Sequence, residues 1–141
     1  VRNVLAAADH SVEGRAAILA ATRLAQRCQA RVTVLTVADI GQGESAKDAA
    51  LRGLTATVDA ALAPLSTRPP VDLRVALGLP GVEIGRFAER SDADLIVVGR
   101  KRRSELQRRL LGDTADAVAR RSSVPCLFIT GEQQFERVLV G

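Results

Sequence analysis

The 141 residues include no methionine, tryptophan or tyrosine, one histidine, two cysteines and three phenylalanines. Each shortage removes a class of function. With Phe87, Phe128 and Phe135 as its whole aromatic complement, the chain lacks the stacking platforms of single-stranded nucleic-acid binders, so nucleic acid is not an expected partner. Cys28 and Cys126 are too few and too far apart for a disulfide framework or a zinc cluster. Both read as small buried hydrophobes in a reducing cytoplasm. No apolar run approaches the roughly 18 residues of a membrane span, and no basic-then-apolar leader opens the chain. A soluble protein with no membrane partner is expected. Methionine is missing even at position 1, which predicts a numbering that begins after a trimmed start.

What is present suits one compact domain. A chain of this length with 47% hydrophobic residues buries roughly 68% of the surface its unfolded form exposes. The net charge of +4 and a pI near 10.0 favour anionic partners without naming one.

Apolar runs alternate with amphipathic stretches along the chain. Val4 to Ala8 read as a first strand, followed by Asp9, His10 and Ser11, residues suited to a strand end and a helix cap. Ala17, Ala21, Leu24, Ala25 and Cys28 recur at helical spacing and form the inner face of a first helix. Val32 to Val37 are a second strand, rich in β-branched residues. Leu51, Leu54, Val58, Ala61, Leu62 and Leu65 stripe a second helix that the Pro64–Pro70 segment ends. Val71 to Leu77 alternate as an edge strand does, and Gly78 and Pro80 turn into a third helix with Ile84, Phe87 and Ala88 inward. Leu95 to Val98 are a fourth strand. A fourth helix is expected from about Asp113 to Arg121, with Ala115, Val118 and Ala119 inward, and Pro125 opens a fifth strand, Cys126 to Thr130. Strands joined by crossover helices predict an α/β fold, a doubly wound parallel sheet with helices on both faces.

Four pieces of this pattern together resemble the universal stress protein family over residues 2 to 130. Val4-Leu5-Ala6-Ala7-Ala8-Asp9-His10-Ser11 is similar to the family's first strand and acidic turn. Gly78-Leu79-Pro80-Gly81-Val82-Glu83-Ile84 resembles its G-x-P-x-x-x-I turn, Ala93 to Gly99 its A-D-L-I-V-x-G strand, and Leu111 to Pro125 its L-G-S-x-x-x-x-V…V-P segment. The resemblance implies a five-stranded parallel sheet in the order 3-2-1-4-5 and a homodimer through the fifth strand, Cys126, Leu127, Phe128 and Ile129. An apolar edge with unpaired backbone groups is also a reason of its own to expect a covering copy.

The resemblance further implies ATP or AMP as ligand, with Mg as the sole accompanying metal, held by a G-x-x-G, nine residues, G-S/T segment. Gly99 and Gly112 match its first and last glycines. Arg102 replaces the second glycine, and Asp113 replaces the Ser or Thr that donates to phosphate. Asp9 and Val37 match positions that contact ribose and adenine, and Lys101 and Thr114 complete the candidate set. Arg102 loses the freedom that lets a bare backbone approach an anion, and Asp113 opposes phosphate directly while accepting the N–H groups phosphate needs. Against this, Arg100 to Arg103, Arg108 and Arg109 could hold an anion by side chains, or could form a solvated basic face. Asp9 reads equally as the cap of the first helix. His10 lacks a visible nucleophile or second acid and reads as a surface turn residue. No catalytic residues are identified. Two readings follow: a dimerising, non-enzymatic stress-response module with impaired nucleotide binding, or an ATP- or AMP-binding member that holds phosphates with Arg and Lys.

The domain is expected to span 1–131. In the tail, 132–141, Arg137-Val138-Leu139-Val140-Gly141 echoes Asn3-Val4-Leu5-Ala6-Ala7. This predicts the start of a second tandem copy or, alternatively, an added edge strand.

Overall fold

A computed structural model of the chain describes residues 1–39, 41, 43–100, 118 and 123–130, with the backbone of 134–139. The elements run β1 (Asn3–Ala7), α1 (Val12–Cys28), β2 (Arg31–Ala38), α2 (Gly43–Leu62), β3 (Asp72–Leu77), α3 (Pro80–Arg90), β4 (Leu95–Gly99), β5 (Cys126–Thr130) and β6 (Gln134–Leu139). Five strands pair in parallel in the order β3-β2-β1-β4-β5, the expected topology. β6 then adds to β5 antiparallel.

Strand periodicity sorts the core into two layers. Val4 and Ala6 of β1 face α1 and α2 together with Ile18, Ala21, Val34, Leu54, Val58 and Val97. Leu5 and Ala7 face the other way and meet Leu35, Ile84, Ala88, Ile96, Val98 and Phe128. The small residues Ala17, Ala21 and Ala25 let α1 lie close on the sheet, and each is at most 2% exposed. Gly78 turns β3 toward α3 at φ 136°, a conformation that favours glycine, and its N–H donates to Ala38 O at 2.9 Å. Pro80 then starts α3 in the first turn, where its missing N–H costs nothing.

Several expectations are corrected. Cys28 is exposed, not buried, because it is the last residue of α1 and lies beyond the stretch that covers the sheet. Leu51 is 42% exposed because α2 begins at Gly43 and overhangs the sheet; its burial starts at Leu54. The cap of α1 is Ser11 rather than Asp9, its hydroxyl accepting from the Gly14 N–H at 3.0 Å. β5 is not an open edge. Leu127 pairs with Val138 and Ile129 with Phe135 across a register shift, so the backbone groups of β5 find a strand of their own chain three residues further on. A dimer formed directly on β5 would require β6 to give way. The basic segment and the predicted fourth helix lie outside the described residues except for Arg100 and Val118; Val118 is helical and fully buried.

Asp94 locks the start of the sheet. The backbone N–H groups of Arg2 and Asn3 donate to Asp94 Oδ2 at 2.6 and 2.8 Å. These two bonds, that of Arg2 first, hold its carboxyl below the usual carboxylate value. A lowered folded value means stabilisation that is present above the unfolded value, about pH 4, and lost as pH falls through the folded one. Urea midpoints measured against pH are therefore expected to fall with acidification less steeply in Asp94→Asn than in the natural chain. Equal slopes would show that the carboxylate does not hold β1.

Candidate functional site

The sheet order reverses between β1 and β4, and in such sheets ligands sit outside the carboxyl ends of the strands at that point. A cavity of ≈ 160 Å³ lies there. Its floor is Ala7, Leu35 and Val98, its lip carries Asp9, Val37 and Gly99, and Pro80 and Ile84 of α3 close one side. Three of the candidate residues, Asp9, Val37 and Gly99, are thus brought together. Lys101, Arg102, Gly112, Asp113 and Thr114 lie outside the described residues. A larger groove of ≈ 590 Å³ runs along the amino ends of the strands. Its rim is the exposed side chains of Gln26, Gln29 and Arg31; solvated surface groups at the end of the sheet opposite the switch point do not make it the better site.

The loop from Asp9 to Gly14 is tightly organised. The Ser11 N–H donates to Asp9 Oδ1 at 3.0 Å and the Ser11 hydroxyl donates to the same oxygen, while Ser11 Oγ accepts from Gly14. Asp9 therefore orients the cap rather than being the cap. Gly14 is needed here, since a Cβ on it would come within 2.6 Å of the Asp9 carbonyl oxygen and 2.8 Å of Oδ1. Gly14, Pro80 and Ile84 line the site although the sequence marked none of them as site residues. The available signal for Gly14 was a glycine in the first turn of a helix that follows an acidic turn.

Gly99 serves a second purpose. A Cβ there would stand 2.5 Å from the Glu13 carbonyl carbon and 2.9 Å from the Gly14 nitrogen, so the end of β4 packs directly beneath the first turn of α1. The next residue, Arg100, is 7% exposed. Its N–H donates to Ile129 O at 2.8 Å, and its guanidinium lies 5.3 Å from the centre of the Phe128 ring, a cation–π distance. The first member of the basic run is built into the core and is not part of a solvated face.

His10 turns away from the cavity. Its Nδ1 lies 2.7 Å from Thr57 Oγ1 on α2, and its ring sits on Gly53. Glycine inside a helix costs about 1 kcal/mol against alanine, but a Cβ at position 53 would meet His10 Cε1 at 3.0 Å. Burial pushes the Cys126 thiol up to about 11 and leaves it unreactive near neutral pH. Among the described residues no group of three or more His, Cys, Asp or Glu side chains is arranged to hold a metal ion, and no helix is long and apolar enough to cross a membrane.

Known proteins share this architecture. A universal stress protein solved in complex with cAMP superposes with a TM-score of 0.74 at 24% identity, covering 92% of this chain and 97% of that one. The universal stress protein UspA from Lactobacillus plantarum superposes with a TM-score of 0.71 at 25% identity, covering 91% and 97%. The universal stress protein MJ0531 of Methanocaldococcus jannaschii is 42% identical over 52 residues, which is 37% of this chain and 31% of that protein; the match spans about a third of that relative's length. The model of the universal stress protein family matches residues 1–130. With nearly the whole described chain inside that match, and with the sheet order and switch-point cavity in place, the chain belongs to the universal stress protein family.

Proposed function

We propose that the chain is a non-enzymatic, dimerising stress-response module of the cytoplasm whose cavity admits the nucleoside end of an adenine nucleotide and binds its phosphates weakly. The convergence of Asp9, Val37 and Gly99 on the cavity at the β1–β4 switch point carries this reading. Its ≈ 160 Å³ is less than the roughly 300 Å³ at which sites for whole drug-sized ligands begin, and so suits one ring system. A nucleotide's phosphates would meet Arg102 and Asp113 where the family pattern has glycine and Ser or Thr. A carboxylate about 4 Å from a phosphate charge opposes it by about 1 kcal/mol in water and about 4 at an effective dielectric of 20. Arg100 offers little compensation, because it is buried on Phe128.

The non-enzymatic reading is supported by how the polar groups are committed. Asp9 Oδ1 accepts from Ser11, and His10 points to Thr57 on α2 and does not line the cavity. The dimer would form at the β5–β6 end of the sheet, where backbone groups of the outer strand could pair with a second copy.

Calorimetric titration of the full chain with adenosine, AMP and ATP tests the reading. Adenosine and AMP are expected to bind with similar affinity and ATP no more tightly than either. Micromolar ATP binding that adenosine does not match would show an intact phosphate cradle and sink it. Light scattering on the same preparation reads the dimer.

A further inference from the structure

We propose that His10 is a positioning residue that couples the occupancy of the cavity to the placement of α2; the proposal rests on the nucleoside reading above. The chemistry of Thr57 carries it. Its hydroxyl has one hydrogen, and Thr57 Oγ1 lies 2.9 Å from Gly53 O, a carbonyl that can only accept. That hydrogen is therefore committed, and Thr57 Oγ1 meets His10 Nδ1 as the acceptor. His10 must donate from Nδ1. In the neutral ring this selects the Nδ1–H tautomer and leaves Nε2 as the lone-pair nitrogen.

The seat for the ring is built from both sides. Gly53 leaves room where a Cβ would come within 3.0 Å of Cε1, and the His10 carbonyl is itself held by Arg15 Nη1 at 3.2 Å. His10 is the residue after Asp9, whose carbonyl and Oδ1 abut Gly14 at the cavity lip. The ring thus ties the β1–α1 loop to the middle of α2. The covalent path gives α2 a second tie to the same place, since β2 passes Thr36 and Val37 at the cavity before the chain reaches Gly43. Movement of the Asp9 loop on ligand entry is transmitted to α2 through one directional hydrogen bond.

Two measurements on the full chain test this. Nitrogen NMR of the imidazole is expected to show neutral His10 as the Nδ1–H tautomer, with Thr57→Val shifting the population toward Nε2–H; an Nε2–H tautomer in the natural chain overturns the assignment. Adenosine titration followed by amide shifts is expected to move residues 9–14 and residues 53–57 together. In His10→Ala the shifts on α2 should vanish. His10→Asn, whose amide can donate to Thr57, should restore them, an outcome that a general loss of stability would not produce. Shifts at the cavity alone in the natural chain, or shifts on α2 that persist in His10→Ala, overturn the coupling and leave the nucleoside reading standing. No shifts anywhere in the natural chain overturn both.

Discussion

Gly99→Ala is expected to lower the stability of the ligand-free protein by about 3 kcal/mol, the upper part of the range for overpacking a filled site. The added methyl would lie 2.5 Å from the Glu13 carbonyl carbon and 2.9 Å from the Gly14 nitrogen. Both obstacles are backbone, so no rotamer change relieves them. β4 cannot retreat, because it is hydrogen-bonded on both sides, to β1 and to β5. α1 cannot rise without uncovering Ala17, Ile18 and Ala21, all fully buried. A glycine kept only for a phosphate would behave differently, losing ligand affinity with its stability intact. Urea denaturation without nucleotide separates the two roles. An unchanged midpoint would mean that the α1–β4 contact is not as close as described and would return Gly99 to the phosphate loop.

Phe128→Ala is expected to cost about 3–5 kcal/mol, the usual range for removing a large core aromatic. Phe128 is fully buried among Leu5, Ile96, Val98 and Val118, at the centre of the layer beneath α3. Its loss leaves a cavity that a strand held on both sides by β4 and β6 cannot close. It also removes the ring beneath the Arg100 guanidinium, so a buried cation loses a favourable face. Against a total stability of roughly 5–15 kcal/mol, the substitution consumes a large share. The urea midpoint should fall with the slope unchanged. Phe128→Leu keeps most of the volume and should cost clearly less, and a cost below about 1 kcal/mol for the alanine variant would contradict the placement of this ring.

The same two residues show what could be read before the fold was known. Phe128 sits in an apolar run that follows Pro125, and its burial fits a continuous apolar strand covered on both faces of a sheet. Gly99 was legible as a strand end at the right distance from Gly112, which suggested phosphate chemistry. Its contact with Glu13 was not legible, because it depends on the register that sets Ala7 beside Val98 and so brings the end of β4 under α1. Arg100 is a similar case. A basic run is ordinarily a solvated face, and the Phe128 ring from the neighbouring strand helps make a buried position hospitable to its first arginine.

Cys28 and His10 mark the same boundary. Helical spacing put Cys28 on the inner stripe of α1, but the sheet ends before the helix does, so the stripe continues into solvent. His10 was read as a turn residue, and it is exposed; its tie to Thr57 joins segments that sequence spacing does not relate.

Sequence alone determined the alternation of strands and helices and the inward faces of most of them, because these rest on periodicities and turn chemistry that neighbours along the chain impose on one another; the sheet order came from the family resemblance. Tertiary structure decided that Asp9, Val37 and Gly99 share one cavity and that Gly99 is required by the backbone of α1. Those outcomes depend on contacts between residues distant in sequence, and such contacts acquire definite distances only when strand register and helix docking are set together.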